Sequence, residues 1–267
     1  TVATTIPVNY KQVKGTEVQV KVTGLCGGHS GSEIDKEHAN ANILMGRILR
    51  SLMDRMQFGL SHMEGGLKDN AIPRECTAKI IIDKADSDTL KNVVNELNNA
   101  FAAEYSVADK DIKVVVSFGE DKECDVLSFT SLTKVIFYLR NVPNGVQNMS
   151  QVMPGLVETS LNAGILDLTD EALLVTTSVR SSVSTRKADL QDKLGMLAEF
   201  LGGEIDINGD YPAWEYKKDS KLREIMVDSY KELFGEEPCV KAIHAGLECG
   251  LFYDKIPYVC KGQIAAL

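Results

Sequence analysis

The residues of this sequence best suited to chemistry stand in one glycine-rich run, Gly27-Gly28-His29-Ser30-Gly31. Glycine lets the backbone turn tightly and approach a ligand closely. A histidine set in such a turn can donate a hydrogen bond to a developing oxyanion. An alternating segment, Glu17 to Thr23, precedes the run and a helical pattern follows it, so His29 is expected at a strand tip beside a helix entry. The same residues also fit a plain helix-entry loop carrying a solvated histidine. Two other motifs fail on spacing. A nucleophile elbow, G-x-S-x-G, needs a glycine where Ser32 stands, and the terminal G-K-[ST] of a P-loop is missing.

Three further places carry polar chemistry. Asn70, in Asp69-Asn70-Ala71-Ile72-Pro73, offers both a donor and an acceptor to orient a peptide, or else bonds its own turn. Arg180 ends a strand-like run, Leu173 to Arg180, among hydroxyl residues. That placement suits bidentate capture of a carboxylate, and equally a surface ion pair. His244 and Glu248 are four residues apart and would share a face of a helix as two metal ligands. Ala245-Gly246 is poor helix, however, and the pair lacks a third ligand, so Glu248 is better placed to contact a substrate or open a helix.

The elements that must hold these residues alternate. Val18, Val20 and Val22 lie on one face of a half-buried strand. Lys36 to Met56 reads as a helix with an apolar stripe and Asp35 as its N-cap. Cys76 to Ile82 and Ile112 to Phe118 read as strands, Leu90 to Tyr105 as a helix. The second half repeats the rhythm: a helix over Phe129 to Arg140, strands over Val157 to Ile165 and Leu173 to Arg180, a helix over Lys187 to Leu201 closed by Gly202-Gly203, and a strand from Glu204 to Ile207. The pattern predicts an α+β domain, helices packed on one face of a mixed or antiparallel sheet. A structural duplication is compatible with it, although no sequence repeat is evident. A boundary is expected at Asn208-Gly209-Asp210-Tyr211-Pro212, followed by a helix over Ser220 to Phe234 and short strands at Val240 to Ile243 and Ile256 to Val259, a partial α/β segment.

Bulk properties narrow the function classes. A chain of 267 residues can bury a core without metals or disulfides. A formal net charge of -9 argues against a nucleic-acid partner, since nothing here would release counterions from a polyanion. No apolar stretch approaches the roughly 20 residues that span a bilayer, so no membrane is expected. Six scattered cysteines without a C-x-x-C pair fit reduced thiols in a cytoplasmic protein rather than a zinc site. Asn148-Met149-Ser150 is then a chance sequon. No signal peptide opens the chain, and Thr1-Val2-Ala3 reads as a chain entered midway.

Four stretches carry a resemblance: GLCGGHSGSEIDKEHANAN from Gly24, DNAIPRE from Asp69, VETSLNAGIL from Val157 followed by VRSS from Val179, and IHAGLECGLF from Ile243. Together, in order and spacing, they resemble the aminoacyl-histidine (Xaa-His, cytosol non-specific) dipeptidases, relatives of the aminoacylase and carnosinase-like zinc metallopeptidases. The resemblance implies a zinc-binding catalytic domain with an inserted lid. Residues 1–14 are then a leader from the catalytic domain, 15–208 the lid or dimerisation domain, and 209–267 a partial return into the catalytic domain. It implies that His29 stabilises the tetrahedral intermediate and that Asn70, Arg180, Gly246 and Glu248 bind a dipeptide substrate. It also implies a homodimer and two zinc ions in the complete enzyme. The family's metal ligands, its general base and an H-x-D stretch belong upstream of the lid, and its last metal-binding histidine follows the segment matching Ile256 to Val259. None of these is found here, so no residue of this chain is expected to hold the metal, and the chain alone is expected to be inactive. A reading of another class stays open: a non-catalytic dimerisation and substrate-clamping module.

Overall fold

The structure, a computed structural model, describes residues 1–213, 219–240, His244 and Lys255. In chain order the elements are β1 (Val2–Pro7), β2 (Tyr10–Thr23), β3 (Gly28–His29), α1 (Ala41–Met53), β4 (Phe58–Gly65), β5 (Ala71–Ile72), β6 (Cys76–Ile82), α2 (Ser87–Glu104), β7 (Lys113–Leu127), α3 (Phe129–Asn141), β8 (Gly145–Met149), β9 (Val157–Leu168), β10 (Ala172–Ser181), α4 (Ser184–Phe200), β11 (Glu204–Ile207) and α5 (Lys221–Phe234). Nine strands form one sheet in the order β11-β1-β10-β9-β4-β6-β2-β7, with β8 added beside β9. Every strand pair in it is antiparallel. Helices α1 to α4 cover one face, and a single apolar core lies between helices and sheet. Val18, Val20 and Val22 point into it and are fully buried. The expected α+β class holds.

The strand order contains two copies of one arrangement. β2-α1-β4-β6-α2-β7 makes a unit with strands in the order β4-β6-β2-β7. β1 with α3-β9-β10-α4-β11 makes a second, in the order β9-β10-β1-β11. The first unit is inserted between the opening strand of the second and its helix. Equivalent strands β4 and β9 join the units, Glu64 opposite Asp167 and Gly65 opposite Leu166. Equivalent helices α1 and α3 cross at Gly46, where an added Cβ would stand 2.5 Å from the Leu139 Cβ.

This topology bears on the expected leader over residues 1–14. Val2–Pro7 pairs on both sides, with β10 and with β11, and Tyr10 onward pairs with β7, so these residues complete the sheet. The helix expected from Lys36 begins at Ala41 instead, because Asn40 caps it: its side chain accepts from the N–H groups of Asn42 and Ile43. Residues Ile34–Lys36 make only a single 3-10 turn, stopped by Glu37 in the left-handed region at φ 57°. The helix over Ser220 to Phe234 is present, with Ser220 as its cap. The short strands expected at Val240 to Ile243 and Ile256 to Val259 lie outside the described residues, except for Val240, which is in no strand.

Candidate active site

His29 is placed by backbone pairing. β3 lies against β5, Gly28 opposite Ile72 and His29 opposite Ala71, and the Ser30 N–H donates to the Asn70 carbonyl at 2.9 Å. The turn needs its glycines: Gly27 and Gly28 sit at φ 68° and 139°, and a Cβ on Gly27 would meet the Arg74 side chain at 2.4 Å. Glu33 locks the turn from the other side. Its carboxylate accepts from the His29 N–H at 2.8 Å, while its own N–H donates to the His29 carbonyl at 3.0 Å. Lys36, bonded to the same carboxylate, holds its pKa below the usual range, with the His29 N–H as the next cause.

The ring of His29 has a defined tautomer. Its Nδ1 accepts from the N–H groups of Gly31 at 3.1 Å and Ser32 at 3.2 Å. A neutral imidazole with an accepting Nδ1 carries its proton on Nε2. The side chain is exposed. The loop therefore presents an N–H donor to whatever binds there, as an oxyanion donor requires.

Asn70 is exposed, and its side chain makes no hydrogen bond among the described residues. Its turn is fastened by buried asparagines. Asn162 Nδ2 donates to the carbonyls of Asp69 and Ala71 at 3.0 and 2.8 Å, and Asn162 Oδ1 accepts from Asn40 at 3.2 Å. Asn40 in turn caps α1. The close approach is possible because Gly164 bulges from β9 opposite the step between Thr176 and Thr177; a Cβ there would stand 2.5 Å from the Asp69 carbonyl oxygen. Asn162→Ala removes the donor to the carbonyls of Asp69 and Ala71, while the Asn40 amide keeps Asn144 and the Ala163 carbonyl as acceptors. It is expected to destabilise the fold by about 1–3 kcal/mol, read from the midpoint of urea unfolding at constant slope.

Arg180 stands in β10 directly across from Ser160 in β9. It is partly buried, and its Nε has no hydrogen-bond partner among the described residues. Desolvation pulls its pKa below arginine's ordinary value, with the Asp69 carboxylate acting against the shift. It stays a cation, so a half-buried guanidinium keeps an Nε–H without an acceptor among the described residues, which suits an incoming carboxylate.

His244 ties these pieces together. Its Nε2 lies 2.8 Å from the Oγ of Ser160, a residue only 1% exposed. Its carbonyl oxygen packs on Gly31, where a Cβ would stand 2.7 Å away. Burial, reinforced by the Arg180 charge, pulls its pKa down to about 4. Folding and docking thus favour the neutral ring. That preference is complete above the free value of 6.5 and is lost as pH falls from there through about 4. Of four histidines, this one is expected to titrate far below the free value in a histidine-ring NMR titration. A midpoint near 6.5 would mean that His244 is undocked in solution.

The sequence singled out His29, Asn70 and Arg180 and missed Ser160 and Asn162. Gly246 and Glu248 lie outside the described residues. The groups at this site are two imidazoles, a guanidinium, amides, a hydroxyl and the Asp69 carboxylate. Among the described residues they form no cluster of three metal-ligating groups; the one such cluster is Cys26, His38 and Asp109. The site as described does not fit a dinuclear metal centre.

Comparison with known proteins agrees with the resemblance drawn from the four stretches. The peptidase dimerisation domain family matches residues 20–109, from the end of β2 through α2 in the first unit of the sheet. Cytosol non-specific dipeptidase of Escherichia coli (strain K12) is 34% identical over 254 residues, 95% of this chain and 50% of that protein. The crystal structure of aminoacylhistidine dipeptidase from Vibrio alginolyticus superposes with a TM-score of 0.89 at 31% identity, over 95% of this chain and 52% of that one. The chain spans about half the length of these relatives. Over that span the chain is similar in sequence and fold to the aminoacyl-histidine, or cytosol non-specific, dipeptidases, and within it carries the peptidase dimerisation domain match.

Proposed function

We propose that this chain supplies the lid, over residues 15–208 joined by the β1 strand, and the dipeptide-binding groups of a metallo-dipeptidase acting on Xaa-His-type substrates. The observation that carries the reading is the His29 tautomer: two backbone N–H groups on Nδ1 leave an N–H donor on the exposed side of a rigid turn. In this reading His29 donates to the carbonyl oxygen as it becomes an oxyanion, Arg180 grips the substrate carboxylate, and Asn70 orients the peptide. Gly246 and Glu248 complete the binding surface. Ser160 and His244 hold the Arg180 side of the site against the His29 loop.

The family's zinc ions supply Lewis-acid polarisation and an activated water. The described residues of this site do not fit those ions, so the role assigned to this chain is binding and charge stabilisation, and the chain alone is inactive. Homodimerisation is part of the proposal, supported by the dimerisation-domain match. So is a cytoplasmic location, supported by the printed name of the E. coli relative. Among the described residues no helix is long and apolar enough to cross a membrane.

A chimaera tests the reading: this segment replaces the matching half of the E. coli relative, and hydrolysis of Xaa-His dipeptides is measured with metal content confirmed. Hydrolysis supports the proposal. A folded, metal-loaded chimaera that binds dipeptides without cleaving them favours the clamping-module reading.

A further inference from the structure

We propose that Cys26, His38 and Asp109 form a binding site for one borderline-soft divalent cation, of the zinc class, which clasps the two ends of the loop carrying His29. One ligand atom from each residue lies within 4.8 Å of the others. The thiol, imidazole and carboxylate are the three ligand types that zinc takes, and a three-ligand site leaves a position for water. The His38 Nδ1 to Asp109 Oδ2 distance is 3.7 Å. Tetrahedral zinc with bonds of about 2.0–2.1 Å to N and O sets such ligands roughly 3.3 Å apart, so this pair needs only a small inward movement.

The surroundings are built around this cluster. Asp109 is 0% exposed and comes from the connection between α2 and β7. Its Oδ1 accepts from the Cys26 N–H at 2.6 Å, and its Oδ2 from the Ala39 N–H at 2.7 Å. These two bonds close the loop from residue 26 to 39. They use one acceptor direction on each oxygen, and a carboxylate has about four, so acceptor capacity is left for a cation. Glu37, the one non-glycine residue with positive φ among the described residues, turns the chain just before His38. That conformation is unfavourable for a side chain with a Cβ, and here it brings His38 back to within 3.1 Å of the Ala108 carbonyl and beside Asp109. Gly24 and Gly27, at φ 81° and 68°, do the same on either side of Cys26. Two separated left-handed turns thus converge a thiol and an imidazole on one buried carboxylate. Cys26 is exposed to solvent, which gives the ion its entry path.

On binding, the Cys26 thiol gives up its proton to solvent, His38 shifts to the tautomer protonated on Nε2 and exchanges its Nδ1–H bond to the Ala108 carbonyl for a bond from Nδ1 to the ion, and Asp109 binds as the carboxylate. The net charge of the cluster changes from -1 to that of a dication with two anionic ligands, which is zero. The loop ends are then joined by metal–ligand bonds as well as by two hydrogen bonds.

The test is a titration of the full reduced chain with Co(II), followed by competition with Zn(II). The expected result is a near-ultraviolet thiolate-to-cobalt charge-transfer band that saturates at one ion per chain and is displaced by zinc. Cys26→Ser should abolish the band. His38→Gln should weaken affinity by more than the roughly 10–100-fold that an outer-shell change produces. Both variants keep Asp109 and its two backbone hydrogen bonds, so the fold is retained, which circular dichroism checks. Zinc should raise the Tm of the parent chain and not that of Cys26→Ser. A band that persists in Cys26→Ser, no band at one equivalent, or equal zinc stabilisation of parent and variant would each overturn the proposal and leave Asp109 as a hydrogen-bonded loop fastener only.

Discussion

In the chimaeric enzyme, His29→Ala should lower kcat by roughly 10²–10³ while KM changes little. A donor aimed at an oxyanion makes its strongest contact only in the transition state, so its loss is felt in kcat rather than in ground-state binding. The loop should survive the change. Its β3–β5 pairing, the Ser30-to-Asn70 bond and the Glu33 lock are all made by other atoms. What alanine removes beyond the donor is the Nδ1 acceptor for the Gly31 and Ser32 N–H groups. Because that would loosen the loop, His29→Gln is the informative partner: its amide keeps a donor at similar reach. Recovery of part of the lost kcat by glutamine indicates hydrogen bonding at the reacting oxygen. Equal losses in both variants indicate that loop order, or lid closure, is the limiting quantity.

Arg180→Ala should act mainly on substrate affinity. Removing one partner of a buried, hydrogen-bonded charge pair costs about 2–5 kcal/mol, or roughly 30- to several-thousand-fold in binding. The carboxylate is the same group before and during hydrolysis, so the loss should fall chiefly on KM. Arg180→Lys should rescue poorly, because a lysine cannot reproduce a two-pronged contact. The control is a substrate with its C-terminal carboxylate amidated. If Arg180 grips that group, the parent enzyme loses affinity for the amide and Arg180→Ala does not lose further. Additive losses would place Arg180 elsewhere.

How much of this was legible in the sequence differs from residue to residue. The His29 turn announced itself, since consecutive glycines before a histidine mark positive φ and close approach. Arg180 was visible as a cation at the end of an apolar strand. Ser160 was not: its importance comes from lying opposite Arg180 and under His244, 20 and 84 residues away. Asn162 likewise acts through contacts with turns far off in sequence. Strand β4 was missed because its bulge between Leu60 and His62 breaks the two-residue period. The far half of β7 was missed because Gly119 to Glu123 is charged and reads as loop, whereas it is the edge of the sheet, where charge discourages further strand pairing. A duplication was compatible with the sequence, but its bounds were hidden because the second unit's first strand precedes the entire first unit. The helix start was misplaced because Asp35 and Asn40 are both good caps, and only the left-handed Glu37 between them decides for Asn40.

Whether His29 binds the reacting oxygen of a dipeptide in its transition state is read most directly from the affinity of a phosphinic dipeptide isostere, a stable mimic of the tetrahedral intermediate. That affinity is measured on the chimaera and its His29→Ala variant beside the affinity of the product amino acids. If His29 binds that oxygen, the isostere should lose roughly the same 10²–10³ that kcat loses, while product affinity stays within a few-fold. Unchanged affinity for the isostere, in a folded and metal-loaded variant, would contradict that role and leave the glycine-rich turn as a helix entry.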